Sequence, residues 1–277
     1  MGIPFVKGHG TENDFVLLPD LDASLDLTSA RVRVLCDRRA GLGADGVLRV
    51  VRAKAIEDRP SDVDDTMWFM DYRNADGSVA EMCGNGVRVF ARYLVESGLV
   101  ADHHFPVGSR AGAREVVVQP DGDVAVDMGP ARVTGESAAT VGSRTLVGVA
   151  VDVGNPHLVC AVDRLDDLDL TVRPGYDPAV FPHGVNVEFV VVEAADRIRM
   201  RVHERGVGET RSCGTGTVAA VAGVLHSRGE RTGAATVEVP GGRVRVEVGE
   251  DTSVLTGPAT FVARGELDRA WWDAISE

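Results

Sequence analysis

The stretch Glu81-Met-Cys-Gly-Asn-Gly-Val-Arg88 and its later counterpart Arg211-Ser-Cys-Gly-Thr-Gly-Thr-Val218 decide how the chain is read. Their cysteines, Cys83 and Cys213, are 130 positions apart in a chain of 277 residues, close to half its length. Self-similarity at that spacing is the mark of an internally repeated architecture. The surroundings repeat as well. A β-rich stretch comes first (Met67–Tyr72; Arg197–Val202), then a polar loop (Arg73–Glu81; His203–Ser212), then C-G-x-G opening a helical pattern over Asn85–Ser97 or Thr215–Ser227. Both helical stretches carry Val, Ala and Leu around much of their circumference, the pattern of a helix enclosed by other elements rather than laid on a surface.

Outside these helices each half consists mainly of short strands broken by Gly, Pro and Asp. Val116–Val118 and Val124–Met128 flank Pro-Asp-Gly-Asp, and Thr236–Val239 and Val244–Val248 flank Pro-Gly-Gly-Arg. Both read as hairpins. Thr28–Arg38 reads as a helix with Thr28 as its N-cap. The expected class is α+β: two pseudo-symmetric lobes, each a curved, mostly antiparallel sheet wrapped around a central helix. The expected lobes are 1–129, carrying Cys83, and 130–266, carrying Cys213. The tail 267–277, with Trp271-Trp272 as an apolar anchor, is expected to pack back on the first lobe.

Composition narrows the chemistry. Lys and Arg number 29 against 42 Asp and Glu, a formal charge of −13, and no dense basic block occurs. A nucleic-acid partner is therefore not expected, since phosphate binding needs a basic face. No apolar run approaches the roughly 20 residues of a membrane span, and the first residues lack a signal-peptide pattern. A cytoplasmic location with reduced thiols is the expectation. Only Lys7 and Lys54 are lysines, and neither lies in a glycine-rich loop. Pyridoxal enzymes and P-loop nucleotidases, which need a lysine in a special context, lose weight. The four cysteines form no C-x-x-C pair, which disfavours zinc ribbons and thioredoxin-like motifs. Gly41-Leu-Gly-Ala-Asp-Gly46 matches the dinucleotide fingerprint, but it follows a helix and precedes the strand-like Val47–Val51, the reverse of the required order.

A cysteine just ahead of a glycine-containing first turn meets backbone N–H groups that have no partner within the helix, and a partial positive charge. A thiolate is favoured there, and the glycines let a carboxylate approach the backbone. A pair of such thiols suits inversion at a carbon next to a carboxylate: one group removes the α-proton, the other returns a proton to the opposite face. No cofactor is required if helix termini stabilise the carbanion. Two inert buried cysteines are the plainer reading, and the paired contexts weigh against it. Cys36 and Cys160 lack that context and are read as core.

Six motifs in order, Gly10-Thr-Glu-Asn-Asp-Phe15, Arg73-Asn-Ala-Asp-Gly77, Glu81–Arg88, Gly154-Asn-Pro-His157, Gly184-Val-Asn-Val-Glu188 and Glu204–Thr217, span nearly the whole chain. Together they resemble the diaminopimelate epimerase family, cofactor-independent enzymes that interconvert LL- and meso-diaminopimelate. The resemblance implies that Cys83 and Cys213 are the acid/base pair. It implies that Gly84, Asn85, Gly214 and Thr215 meet the reacting carboxylate, and that Asn13, Asn74, Asn155 and Asn186 bind the polar ends of the amino acid. Arg205 would clamp a distal carboxylate, Glu204 would face an ammonium, and His157 with Glu204 would tune protonation. No metal and no cofactor are implied, and a homodimer is. Many members carry Gln where this chain has Gly46. A proline or hydroxyproline racemase and a redox-sensing thiol pair remain open alternatives at this point.

Overall fold

The computed structural model describes residues 2–276, which divide into two compact units: residues up to Val126 together with those from Pro258 onward, and Asp127–Gly257. In the first unit, β1 (Ile3–Gly10) and β2 (Asn13–Pro19) form an antiparallel hairpin closed by Thr11-Glu12. Thr28 caps α1 (Ser29–Cys36), its Oγ1 accepting from Arg31 N at 3.3 Å. The chain then enters β3 (Gly46–Arg52), parallel to β2, and β4 (Trp68–Asn74), antiparallel to β3. This helix-then-strand order around Gly41–Gly46 agrees with rejection of the dinucleotide reading. Helix α2 (Gly84–Glu96) follows, then the antiparallel β5 (His104–Ser109) and β6 (Gly112–Val118). Strand β7 (Val124–Gly129), which pairs with β6 across the expected hairpin, runs through the changeover between units.

The second unit opens with a hairpin of β8 (Arg132–Val141) and β9 (Arg144–Asp152). Strand β10 (Pro156–Ala161) runs back along β9, the two-residue β11 (Gly175–Tyr176) pairs with β8, and β12 (Asn186–Ala194) lies parallel to β10. Strands β13 (Arg197–Glu204) and β14 (Gly208–Thr210) lead to α3 (Gly214–Ser227). After it come β15 (Gly233–Val239) and β16 (Gly242–Val248), the second expected hairpin, and β17 (Ser253–Gly257). The chain re-enters the first unit as β18 (Thr260–Leu267), antiparallel to β1, and ends in α4 (Arg269–Asp273).

Each unit is a strand-rich assembly holding one nearly enclosed helix, which places the protein in the α+β class expected from its sequence. Every residue of α2 from Gly84 to Ala91 is buried, as is every residue of α3 from Gly216 to Leu225. Helix α2 packs on β1, β2, β3, β4 and β6, and α3 on strands from β8 to β17. Burial on all sides requires an apolar circumference, and each fully buried Leu or Phe stabilises by roughly 1.5–3 kcal/mol. Cys36 belongs to a core of Val16, Leu18, Val32, Leu35 and Val47, to which the returning tail adds Leu267 and Trp272. Cys160 belongs to the second unit's core with Leu158, Leu165 and Phe189. Arg88 is 0 % exposed, which sequence alone does not anticipate for a cation.

Candidate active site

In the first unit the polar groups gather at the start of α2. Cys83 is the N-cap, with extended backbone (φ −143°, ψ 116°), and is partly exposed. Its thiol donates to Asn13 Oδ1 at 3.5 Å, and the same oxygen receives Asn85 Nδ2 at 3.2 Å. Asn13 is brought there by the tight β1–β2 turn, and Gly84 and Asn85 form the first helical turn. Three candidates, Cys83, Asn13 and Asn85, therefore share one hydrogen-bonded cluster. Asn74 is placed otherwise: it lies across β3 from Phe15 in the order Phe15, Gly46, Asn74, and its Nδ2 donates to Ser78 Oγ at 3.0 Å.

That row also leaves no room for a side chain at Gly46. A Cβ at Gly46 would fall 2.6 Å from both the Arg73 carbonyl oxygen and Tyr72 Cε2. The Tyr72 ring, packed edge-on to Phe15, fills the space that a side chain at 46 would need.

In the second unit Cys213 is the N-cap of α3 with nearly the same backbone (φ −128°, ψ 117°), but it is buried. Its sulfur accepts from Gly216 N at 3.4 Å and lies 3.5 Å from Thr215 Oγ1. These N–H and hydroxyl contacts favour the thiolate, as the sequence leads one to expect. They are outweighed. Burial first, then the negative charges of Glu204 and Glu188, push the Cys213 thiol well above its ordinary range. Desolvation by burial also raises Glu204, against hydrogen bonds from Thr210 and Cys213. The expected thiolate-stabilising terminus is thus corrected for this residue: a dry site beside two carboxylates overrides the helix end.

His157 is fully buried. Its Nδ1 lies 2.7 Å from Glu188 Oε1 and its Nε2 lies 3.0 Å from Asn155 Oδ1. Asn186, opposite His157 in the β10–β12 register, accepts the Arg205 backbone N–H at 2.8 Å. The Arg205 guanidinium is exposed and donates to the His183 carbonyl at 3.0 Å, forming no ion pair among the described residues. A cation without a carboxylate suits an anionic ligand.

Three residues within the quoted motifs went unassigned in the sequence reading. Glu188 was visible as a carboxylate inside the apolar run Val187–Val190, and Asp45 as an acid between glycines, binding Asn13 Nδ2 at 2.8 Å. Arg88 gave only its place between Val87 and Val89 in α2.

The sequence pattern of the family described as Diaminopimelate epimerase matches residues 5–134 and 149–262. The chain is 55% identical to the diaminopimelate epimerase of Rhodococcus erythropolis, covering 98% of each chain, and 56% identical to that of Mycolicibacterium smegmatis, covering 98% of this chain and 99% of that one. Among solved structures it resembles a hydroxyproline epimerase from Agrobacterium vitis (TM-score 0.67, 15% identity, 98% and 94% covered). It also resembles a Bacillus anthracis phenazine biosynthesis protein of the PhzF family (TM-score 0.66, 16% identity, 97% and 99% covered). Those two likenesses concern the fold alone. The profile match across most of the chain and the identity to full-length relatives establish that this chain belongs to the diaminopimelate epimerase family.

Proposed function

We propose that the protein interconverts LL-2,6-diaminopimelate and meso-diaminopimelate, with Cys83 and Cys213 as the acid/base pair. The observation that carries this reading is the repeated placement of a cysteine, in matching extended conformation, as N-cap of a buried helix in each unit. One sulfur, as thiolate, takes the α-proton; the other, as thiol, gives a proton to the opposite face of the carbanion. The proton count balances, since the first cysteine ends protonated and the second ends as thiolate. The reverse reaction exchanges the roles. The N–H groups of Gly84, Asn85, Gly214 and Thr215 would face the carboxylate on which carbanion charge develops.

The partners of the remaining candidates support a division of roles. The exposed guanidinium of Arg205 is read as the clamp for the distal carboxylate, held in place by Asn186 through its backbone. Glu204, bonded to Cys213, is read as tuning that thiol and facing a substrate ammonium. Asn155 and His157 support the same corner, and Asn74 is read as reaching the substrate from the β4 edge. The resemblance to the family supports a homodimer and a cytoplasmic setting. No helix among the described residues is long and apolar enough to cross a membrane.

The test is incubation of the reduced protein with LL-diaminopimelate, and separately with L-proline, in deuterated water. Deuterium is expected at one α-carbon of diaminopimelate and not in proline. Normally folded Cys83→Ser and Cys213→Ser variants are expected to lose epimerisation, and full activity in either would sink the reading.

A further inference from the structure

The side-chain amide of Asn13 has one end that donates and one that accepts, and its neighbours settle which end faces Cys83. Asn13 Nδ2 donates to Asp45 Oδ2 at 2.8 Å. Its Oδ1 receives Asn85 Nδ2 at 3.2 Å and the Cys83 thiol at 3.5 Å. Turned over, the amide would set its oxygen against a carboxylate, which has no proton to give, and its NH2 group against that of Asn85. Asp45 is itself held. Its Oδ2 also accepts Asp14 N at 3.1 Å, and its Oδ1 accepts Arg38 Nη2 at 2.9 Å.

The backbone delivers Asn13 to this position under strain. Thr11 and Glu12, the two turn residues before it, hold φ of 50° and 61° although neither is glycine. Such a turn suits a two-residue hairpin, at a cost of about 1 kcal/mol or more per residue. The buried Arg88 guanidinium braces it, donating from Nη2 to Thr11 Oγ1 at 3.2 Å.

We propose that Asp45 is a positioning residue that locks the Asn13 amide, so that an oxygen and never an NH2 group faces Cys83 and the α-ammonium of a bound amino acid. The inference rests on the reading of Cys83 as one of the acid/base thiols. An acceptor beside sulfur favours S–H over S⁻, against the charge of the Arg88 guanidinium, which acts in the opposite sense. A substrate ammonium, itself a donor, competes for the same oxygen and withdraws the acceptor from the thiol. The lock therefore selects α-amino acids with a free ammonium and couples their binding to release of Cys83 for proton transfer. The charged groups around this cluster are Arg88 from α2, Asp45 and Arg38 from the segment before β3, and Lys7 and Asp14 from β1 and β2.

The test is a double-mutant cycle on the pH dependence of Cys83 alkylation by iodoacetamide, in a Cys213→Ser background. Asp45→Ala frees the amide to turn its NH2 group toward sulfur, and the alkylation midpoint is expected to fall by about one pH unit. In the Asn13→Ala background the same substitution is expected to leave the midpoint unmoved. An equal fall with and without Asn13 would mean that Asp45 acts only through its charge, and no fall in either would mean that it does not set the amide; both overturn the proposal. Asp45→Asn, which keeps the shape, is expected to give a smaller shift of the same sign and covers the case in which Asp45→Ala does not fold. In the enzyme with Cys213 intact, Asp45→Ala is expected to raise KM for diaminopimelate about tenfold, near 1.4 kcal/mol. Because alkylation does not require turnover, a failure of the lock and a failure of the epimerase reading give separate results.

Discussion

His157 and Glu188 form a hydrogen-bonded pair closed to solvent, with Nδ1 and Oε1 2.7 Å apart and both side chains 0 % exposed. They come from neighbouring parallel strands, β10 and β12. The second carboxylate oxygen, Glu188 Oε2, is buried without a hydrogen-bond partner. Removing one partner of a buried hydrogen bond leaves the other unsatisfied, typically at a cost of about 1–3 kcal/mol, more where a charge is involved. Glu188→Ala is expected to lower unfolding stability by that order, with Glu188→Gln, which keeps a partner for the imidazole, losing less. Urea denaturation of both variants checks this, and an Ala variant within about 1 kcal/mol of the parent would contradict it.

Thiol reactivity should divide the four cysteines. Burial pushes both Cys36 and Cys160 up to about 12. At pH 8 each is therefore held as the unreactive thiol. Neither is expected to be alkylated in the folded protein. Cys213, raised by burial and by Glu204 and Glu188, should react slowly at that pH. Glu188→Gln removes one of the two negative charges and should speed its alkylation several-fold, read by peptide mass mapping.

The two glycines at equivalent places in the helices should differ in tolerance. A Cβ on Gly216 would lie 2.7 Å from Glu188 Oε1 and 3.3 Å from Cys213 Sγ. Gly216→Ala must displace one of them, and a loss of about 1–3 kcal/mol with at least tenfold lower kcat/KM is expected. A Cβ on Gly86 would meet only Leu48 Cδ2 at 3.3 Å, Phe15 Cζ at 3.5 Å and Cys83 Cβ at 3.6 Å. Gly86→Ala is expected to stay within about 1 kcal/mol of the parent, since the helix gains from alanine. Equal losses at both positions would argue against the crowding of Gly216 by Glu188.

Acid should weaken the first unit through Asp14. Burial raises its carboxyl, but hydrogen bonds and charge from Arg38 and Lys7 outweigh burial and bring it down to about 2. A carboxyl depressed in the folded state contributes stability above its unfolded value near 3.8 and loses it as pH falls toward 2. The contribution at neutral pH is about 2 kcal/mol. Asp14→Asn is expected to reduce stability at pH 7 by that order and to flatten the decline between about pH 4 and pH 2. Urea midpoints across that range provide the measurement, and an unchanged acid slope would count against it.

Much of this protein follows from local pattern. The repeated C-G-x-G opening, the apolar circumference of both helices and the Thr28 cap are properties of consecutive residues, governed by helical period and by the unpaired N–H groups of a helix end. The two hairpins are local too, each set by a short turn. For those reasons the α+β class, the extents of α2 and α3 within a residue or so, and the core placement of Cys36 and Cys160 were legible before any coordinates.

What only the tertiary structure decided are relationships between residues far apart in the chain. The Glu188 partner of His157 is 31 residues away and the Asp45 partner of Asn13 is 32 residues away; no periodicity announces either. The Cys213 thiol is pushed up, against the expectation drawn from its helix end, because desolvation and two carboxylates brought by β12 and β13 outweigh contacts from Thr215 and Gly216. A side chain at Gly46 would collide with the Tyr72 ring and the Arg73 carbonyl oxygen, which β4 brings alongside. A chain's local preferences act within a few residues, whereas desolvation, charge proximity and steric exclusion exist only once distant segments have packed.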